Sequence, residues 1–344
     1  MKITLCDEAR AENFQDFVMK HPKSLIYHTQ NYKTLIKRHL DCDIHYYFLE
    51  DRGTIQAVLT AMSKEGKHGK VFNSLPFFGS NGGILAANES AYTAMLNLYD
   101  KLTEDMSFST FIENPFDIVQ RKPDFDLVSH RICQVTDLTD VDLDNLDNIF
   151  TSKKRNDIRR ALRNKVEVQV DFSDYAKDYL LDTHIANMRA VNAVNKSRDY
   201  FHDLFSLFRV GADYDLFTAK KDGELVAALL LLYHKNMVEY YTPVISIQQR
   251  HLQALSLIIY EAMKLNKRAG RTIWNWGGNG NSLNSVYRFK KNWGAKDFPY
   301  DYLIKSNIQQ LAELDSKDIL QDYNGFYLFP FEKNQVQCPF FGSS

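Results

Sequence analysis

Two segments of the sequence share one pattern, and this repeat constrains the fold more than any other feature. Each segment has an apolar run, a charged turn that ends in glycine, and a second apolar run. The turn glycines are Gly53 and Gly223, 170 residues apart. An aspartate and a glycine between two apolar runs indicate a β-hairpin, because glycine accepts the positive φ of a tight turn. We predict one hairpin over residues 44–64 and a second over residues 214–235.

The segments around the two hairpins repeat as well. A helix-like segment precedes each hairpin, and a strand followed by a helix comes after it. The later helix has apolar residues at the three- and four-residue steps of one helix face, at Leu252, Leu255, Ile259, Ala262 and Met263. A strand, a glycine loop, a helix and a last strand then follow. Trp274 and Trp276 alternate along the strand before the glycine loop, so their rings share one face, as is typical of a core.

The repeat predicts a mixed α/β chain (α+β) of two tandem modules. Each module is expected to be a mixed, mostly antiparallel sheet flanked by helices. The predicted boundaries are 1–145 for the first module and 146–305 for the second. Residues 306–344 are predicted to form a tail that docks on the core, with a strand over residues 323–331.

The order helix, hairpin, strand, helix, strand, helix, strand resembles the GNAT acyltransferase fold. Two such modules in one chain resemble the FemABX-type transferases and their cell-envelope acetyltransferase relatives. The motifs that carry this resemblance are SLPF with Gly82 and Gly83, the basic SKKRNDIRRA, and YRFKKNWGAK. The resemblance implies transfer of an acyl group to an amine from a coenzyme A thioester or an aminoacyl-tRNA. It also implies GNAT-like modules and an acceptor that is a small molecule or a nucleotide-linked amino sugar or peptide.

Composition excludes several other classes of protein. The chain has 42 Lys+Arg against 43 Asp+Glu, for a formal charge of -1, which argues against nucleic acid as a broadly bound partner. Its 4 cysteines are widely separated, without a CxxC pair or a zinc-ligand spacing, so we predict no metal and a reducing, cytoplasmic location. The longest apolar run, Leu225 to Tyr233, is far shorter than the roughly twenty residues of a membrane helix, and no membrane span is predicted.

A basic stretch over residues 151–165 stands out from this balance, with seven basic residues and one acidic residue. On a helix, Arg155, Arg159 and Arg163 recur every four residues and line one side, next to an apolar stripe of Ile158, Ala161 and Leu162. Arginine's planar fork suits phosphate oxygens, and a helix N-terminus attracts anions. A solvated helix surface would also explain the pattern. With the resemblance, we predict that Lys153, Arg155 and Arg159 bind the acceptor.

The resemblance implies a donor site at QRHLQA, where GNAT folds carry a glycine-rich loop for the pyrophosphate of coenzyme A. The residues implied are Gln249, Arg250, His251, Gln253 and Ala254. Leu252 occupies the position of the central glycine, and its Cβ hinders close approach of the backbone to phosphate. Either Arg250 and His251 supply the missing attraction, or the donor is not coenzyme A, or the segment is an ordinary helix start.

The resemblance also implies the catalytic residues. Lys290 matches the lysine of the family's closing motif, which contacts the donor or the negative oxygen that forms when an amine attacks a carbonyl. The candidates for the general base are Glu113, next to Asn114, and Glu239, in an apolar strand. Arg198 and Tyr200 match an acceptor-site stretch of the family, although a helix start with an aromatic anchor explains them equally well.

The leading hypothesis is an N-acyltransferase that uses acetyl-CoA or another acyl-CoA and acts on an amino sugar or glycan precursor of the cell envelope or a surface polysaccharide. Two alternatives stay open. The first is an aminoacyl-tRNA-dependent aminoacyltransferase acting on a peptidoglycan precursor, which Leu252 favours and the charge balance disfavours. The second is a catalytically degenerate GNAT-like binding protein, which the altered donor loop would fit.

Overall fold

The computed structural model describes residues 2–74, 82–117, 121–191, 195–279, 285–307 and 316–328. The chain folds as two compact units. The first runs from the N-terminus to Arg131 and includes the segment that begins at Pro299, and the second is Ile132–Phe298. These units are defined by contacts, and the module boundaries at residues 145 and 305 stay a prediction.

The first unit is a sheet with helices on both faces. Its helices are α1 (Ala11–Lys20), α2 (Gln30–His39) and α3 (Glu89–Thr103). Its strands are β1 (Lys2–Leu5), β2 (Asp43–Asp51), β3 (Thr54–Gly66), β4 (Gly69–Asn73), β5 (Ile84–Ala86) and β6 (Phe108–Ile112). The order is β1-β2-β3-β4-β6, with β5 beside β3, and the pairing of β4 with β6 is parallel. Successive residues of β3 face opposite sides, because Val58 packs in the cluster with α1 and Leu59 in the cluster with α3.

The second unit repeats this plan. Its helices are α4 (Ser152–Arg163), α5 (Asp174–Ala190), α6 (Arg198–Leu207), α7 (Ala254–Arg268) and α8 (Ser285–Lys291). Its strands are β7 (Leu127–Asp137, which belongs to this unit from Ile132 on), β8 (Glu167–Val170), β9 (Tyr214–Lys221), β10 (Glu224–His234), β11 (Met237–Ile245) and β12 (Ile273–Asn279). The order is β7-β12-β11-β10-β9-β8, and β11 pairs with β12 in parallel. Strand β10 holds the longest apolar run and is buried on both faces, which explains why it does not alternate with polar residues.

The last described elements are β13 (Lys296–Ser306) and α9 (Ser316–Asp322). From Tyr302 to Ser306, β13 pairs with β6 in the first unit. Asp322 and Tyr323 bind the turn between β3 and β4, where the Tyr323 hydroxyl donates to the Gly69 carbonyl at 2.9 Å. The strand predicted over residues 323–331 is wrong for residues 323–328, which form a turn followed by three residues without regular secondary structure, and residues 329–331 lie outside the described residues.

Both predicted hairpins are confirmed. Strands β2 and β3 join through Arg52 and Gly53, and β9 and β10 join through Asp222 and Gly223. All four turn residues have positive φ, at 49° and 81° in the first turn and 51° and 87° in the second. Two consecutive residues of positive φ match the right-handed twist of the flanking strands, which is why a glycine closes each turn.

The basic stretch forms helix α4 as predicted, but its apolar stripe differs from the prediction. Ile158 and Ala161 are buried together with Lys154, whereas Leu162 is 54% exposed. The helix packs on α7 through a stripe at positions 154, 158 and 161, and the next residue turns away from that contact. The expectation for Leu162 was therefore wrong. None of the helices among the described residues is both long and apolar enough to cross a membrane.

Candidate functional site

Strands β11 and β12 separate from each other part-way along the sheet of the second unit. They pair in parallel only from Met237–Ile273 to Glu239–Asn275, although β11 continues to Ile245 and β12 to Asn279. A β-bulge in β11 accompanies the separation, since Leu230 pairs with Thr242 and Leu231 with Tyr240. We call the space between residues 240–245 and 276–279 the wedge. Ligands of α/β sheets commonly bind beyond the carboxyl ends of parallel strands, so the wedge is the candidate site.

Helix α8 places Lys290 at the wedge, and the side chain is buried with 4% exposure. Its Nζ donates to the Gly277 carbonyl and to Oδ1 of Asn279, both at 3.2 Å. Gln134 holds the Asn279 amide at 2.8 Å. Burial lowers the pKa of Lys290 to about 8, with the Cys133 thiol opposing this shift. The site thus contains a desolvated cation held by two oxygen acceptors, the Gly277 carbonyl and Oδ1 of Asn279. We call these two acceptors the Lys290 cradle.

Lys291 is the matched contrast to Lys290. It pairs with Asp297 at 3.1 Å with its side chain 38% exposed. The sequence alone presents the two lysines as equivalent members of one run. Only the buried one contacts the end of β12, so Lys290 is not the exposed lysine that the sequence by itself suggests.

Glu239 lies on β11 at the last paired position and is 2% exposed. Its Oε1 accepts a hydrogen bond of 3.0 Å from Nδ2 of Asn275 on β12. Oδ1 of Asn275 accepts from the backbone N–H of Gly277 at 2.8 Å and from the Cys133 thiol at 3.2 Å. The structure therefore brings two of the predicted catalytic residues, Glu239 and Lys290, into one hydrogen-bonded network.

One wall of the wedge is aromatic. Trp274 and Trp276 are buried as predicted, and the ring of Tyr240 lies 4.9 Å from that of Trp276. Trp293 stacks on Trp276 with centroids 6.1 Å apart, and Phe289 meets the same ring edge-on. This wall excludes water and strengthens electrostatic interactions beside it.

A second cation, missed by the sequence reasoning, lies near the bulge of β11. The Lys196 ammonium sits 4.5 Å from the ring centroid of Tyr241, whose hydroxyl is hydrogen-bonded to that of Tyr200. Burial lowers the pKa of Lys196 to about 8 and that of His184 to about 3, so the histidine is neutral at physiological pH. No local signal identifies Lys196, because its neighbours Tyr241 and His184 are distant in sequence.

Arg198 and Tyr200 were predicted together but have different partners. Tyr200 is buried against Tyr241, as described, whereas Arg198 pairs with Asp178 and Asp182 on α5. An arginine paired with two carboxylates has less charge to offer a ligand. The role of both residues in acceptor binding stays a prediction.

The predicted donor residues lie at the start of α7. Residues Ile247–Leu252 form a 3₁₀ helix, and Gln253 adopts a left-handed conformation with φ 58° before α7 begins at Ala254. Leu252 is buried in the core, while Arg250 and His251 are exposed. Gln249 and Gln253 are partly exposed. The compact turn replaces an open glycine loop, although the first N–H groups of α7 have no intrahelical acceptor.

On α4 the predicted phosphate-binding residues divide into two groups. Lys153 and Arg159 are exposed. Arg155 is half-buried and donates to the carbonyls of Phe150 at 2.6 Å and Asp147 at 3.4 Å, so it supports the preceding loop. Further exposed cations of this helix are Arg160 and Arg163.

Glu113, the other predicted base, belongs to the first unit. Its carboxylate accepts from the backbone N–H of Asp301 at 2.8 Å and pairs with Lys122 at 2.9 Å. Lys122 also binds the Asp301 carboxylate at 3.0 Å. Glu113 is therefore held in an ion-pair network, and its catalytic role stays a prediction. Among the described residues, no three His, Cys, Asp or Glu side chains are grouped to hold a metal ion.

Comparisons with known proteins show which protein family and which solved structures this chain resembles. Residues 152–291 match the family model described as an acetyltransferase (GNAT) domain. A comparison with curated protein sequences found no match. The structure of FemX aligns with a TM-score of 0.69 at 14% identity, covering 91% of this chain and 100% of that one.

Two further structures share the fold over nearly their whole length. The C-terminal domain of a protein assigned as a lysylphosphatidylglycerol synthetase of Agrobacterium fabrum has a TM-score of 0.58 at 13% identity, covering 93% of this chain and 98% of that one. A tandem GNAT protein from the clavulanic acid biosynthesis pathway has a TM-score of 0.51 at 10% identity, covering 88% and 97%. The predicted resemblance to FemABX-type GNAT transferases and the mixed α/β fold are confirmed, and together with the domain match they support an enzyme that transfers an acyl or aminoacyl group.

Proposed function

From a GNAT acetyltransferase domain at residues 152–291 inside a FemX-like fold, we propose that the protein transfers an aminoacyl group from aminoacyl-tRNA to an amine of a cell-envelope precursor. The observation that carries the proposal is the buried ammonium of Lys290 at the open end of β11 and β12, networked with the buried carboxylate of Glu239. A cation can stabilise the oxyanion of acyl transfer to an amine, and a carboxylate can accept the amine's proton.

In the proposed reaction the acceptor amine attacks the ester carbonyl of the donor. A carbon–nitrogen bond forms, and the carbonyl oxygen becomes negative. Lys290 stabilises this oxygen, and a preorganised cation in a site shielded from water is more effective than one in solvent. Glu239 accepts the proton that the amine loses. The bond between the acyl carbon and the ribose oxygen then breaks, and the ribose oxygen leaves as a hydroxyl with the proton that Glu239 gives back.

The donor loop supports a tRNA ester over coenzyme A. Leu252 is buried in the core and a 3₁₀ turn fills the position of the glycine loop, so the backbone offers no close cradle for a pyrophosphate. The fold likeness to FemX and to the lysylphosphatidylglycerol synthetase domain points the same way. For the acceptor we propose a nucleotide-linked amino sugar or peptide of the cell envelope.

A second candidate is an N-acyltransferase that uses acetyl-CoA or another acyl-CoA on an amino sugar of a glycan precursor. The start of α7 favours it, because a helix N-terminus attracts anions and this one lies shortly after the exposed Arg250 and His251. The domain description, acetyltransferase, also favours it.

The test supplies purified protein with either carbon-14 aminoacyl-tRNAs or carbon-14 acetyl-CoA, each with a panel of nucleotide-linked amino sugars and peptides. Label moving from tRNA to an acceptor supports the first candidate, and label moving from acetyl-CoA supports the second. Label moving from neither donor overturns both. Lys291→Met serves as the matched control for Lys290→Met, since the two lysines are adjacent and only one is buried.

The transfer rate is expected to fall as pH rises through about 8, because Lys290 is an ammonium below its pKa of about 8 and a neutral amine above it. The measurement is kcat/KM between pH 6 and 10. Arginine stays charged over this whole range. In Lys290→Arg the rate is lower, but its alkaline decline is lost. An alkaline decline that persists unchanged in Lys290→Arg would contradict the role of the charge.

If the donor is aminoacyl-tRNA, we propose that the exposed cations of α4 contact its phosphates and not the acceptor, so reversing them is expected to weaken tRNA binding. Lys153→Glu with Arg159→Glu removes about two phosphate contacts and lowers the slope of log K against log salt by about 2. Filter binding of charged tRNA at several salt concentrations gives this slope. The control reverses two exposed lysines of the first unit, Lys20 and Lys37, for the same change in net charge. Equal slopes in both double variants would exclude α4 from the tRNA contact.

A further inference from the structure

We propose that Asn275 is the positioning residue that couples Glu239 to Lys290, a role in turnover that rests on the proposed function. Asn275 is fully buried on β12, at the last position where the two parallel strands pair. It contacts neither a donor nor an acceptor in this proposal. Its action is on the orientation of the two charged groups of the wedge.

The orientation of the Asn275 amide follows from its partners. The backbone N–H of Gly277 can only donate, so the atom 2.8 Å from it must be the carbonyl oxygen of the amide. The NH₂ group then faces Oε1 of Glu239 at 3.0 Å. A thiol from Cys133 donates to the same amide oxygen at 3.2 Å.

This one amide has a separate consequence on each side. On one side it holds the backbone of Gly277, a residue with φ 75°, and thereby the carbonyl that accepts from Lys290 at 3.2 Å. On the other side its NH₂ group donates to Oε1 of Glu239 and so fixes the direction of that carboxyl group. Each bond is buried, and a buried partner left unsatisfied is costly.

The groups that face Glu239 come from several elements. Tyr241 follows on the same strand and feels the Glu239 charge. Cys133 from β7 is linked to Glu239 through the Asn275 amide, and Lys290 from α8 is linked through Gly277 and that same amide. Lys196 and His184 lie beyond Tyr241 on the side of α5 and α6. His184 is neutral at physiological pH because burial lowers its pKa to about 3. Asn275 is the group among these that binds Glu239 and the Lys290 cradle at once.

Two substitutions distinguish the effect of the amide on Glu239 from its effect on Lys290. Asn275→Asp keeps an acceptor for the Gly277 N–H and places a second carboxyl group against Glu239, so the pair shares one proton. Asn275→Ala removes both bonds and admits water to the Lys290 cradle. Asn266, a fully buried amide of α7 that donates to the Ala262 carbonyl, supplies the matched controls Asn266→Asp and Asn266→Ala.

Two titrations that need no substrate carry the test. Carbon-13 NMR of protein labelled at glutamate carboxyl carbons follows Glu239, whose signal is assigned by its loss in Glu239→Gln. Competitive labelling with acetic anhydride, read by peptide mass spectrometry, gives the titration midpoint of Lys290. Thermal unfolding checks that each variant is folded.

In Asn275→Asp we expect Glu239 to titrate at higher pH than in the native protein. In Asn275→Ala we expect the Lys290 midpoint to rise towards the ordinary lysine value, which lowers its neutral fraction at pH 7 by about tenfold or more. The Asn266 variants leave both midpoints in place. An unchanged Glu239 midpoint in Asn275→Asp, or an unchanged Lys290 midpoint in Asn275→Ala, would overturn the coupling.

The transfer assay adds the functional part. Both Asn275 variants are expected to lower kcat much more than they raise KM, since the residue acts on the reacting groups and not on binding. If the native protein transfers no label from any donor, the proposed function fails, while the two titrations still decide whether Asn275 couples Glu239 to Lys290.

Discussion

Replacing Lys290 by methionine is expected to lower kcat by about 100- to 1,000-fold, the loss typical of removing one group that stabilises an oxyanion. The same change is expected to stabilise the folded protein at neutral pH. Methionine fills a similar volume without a charge, and the native ammonium is desolvated at 4% exposure. Activity and stability therefore move in opposite directions at this position.

The size of the stabilisation follows from linkage. The pKa of Lys290 is about 8 in the fold against an ordinary value of 10.5, so burying its charge costs about 3 kcal/mol below pH 8. Losing its bonds to Gly277 and Asn279 offsets part of this, at about 1 kcal/mol each. We expect a net gain of about 1 kcal/mol at pH 7. Native stability rises between pH 8 and 10.5, because the unfolded chain binds the proton that the fold releases.

Urea unfolding at pH 7 and pH 9.5 measures both effects. The advantage of Lys290→Met over the native protein should shrink at the higher pH. In Lys291→Met, where an exposed ion pair is lost, the free energy of unfolding and kcat should both stay near their native values. A Lys290→Met protein that keeps native kcat would remove this lysine from the proposed mechanism.

Gly294→Ala is expected to lower the free energy of unfolding by about 3–4 kcal/mol. Gly294 has φ +77°, and a Cβ at this position would lie 2.8 Å from the carbonyl oxygen of Ile149. The left-handed conformation alone costs alanine roughly 1–2 kcal/mol. The remainder comes from displacing the backbone at Ile149. Gly294 follows Trp293 and lies three residues after the end of α8, the helix that carries Lys290. We therefore expect transfer activity to fall together with stability.

Gly223→Ala is the matched control for the steric part. Gly223 has φ +87°, and a Cβ at this position would have no atom within 4 Å, so only the conformational cost of about 1–2 kcal/mol applies. Urea unfolding of the two variants separates strain from contact. Equal losses in both would show that the approach of Ile149 does not restrict Gly294.

The secondary structure was largely predictable from the sequence because its signals are local. Each hairpin depends on two turn residues, Arg52 with Gly53 and Asp222 with Gly223, that tolerate positive φ. The helices depend on apolar spacing, and α7 buries Ile259 and Met263 as its pattern predicts. Leu162 shows the limit of such patterns. The apolar spacing identified the buried side of α4, but it also included this exposed residue next to the buried ones.

The site was predictable only where a motif marked it. The closing motif led to Lys290, and an unexplained charge in an apolar strand led to Glu239. Lys196 had no such mark, because its depressed pKa arises from burial near Tyr241, 45 residues later in the chain. Arg155 resembles its neighbour Arg159 in the sequence, yet its guanidinium is committed to the carbonyl of Phe150.

By itself the sequence determined the repeated hairpins, the order of helices and strands, and the charges available for chemistry. These follow from backbone conformations and apolar spacing within a few residues of one another. Only the tertiary structure decided which of two adjacent lysines is buried and how Asn275 joins Glu239 to Gly277. Burial and hydrogen-bond partners depend on strands that meet only after folding, and they set both the pKa of Lys290 and the geometry around it.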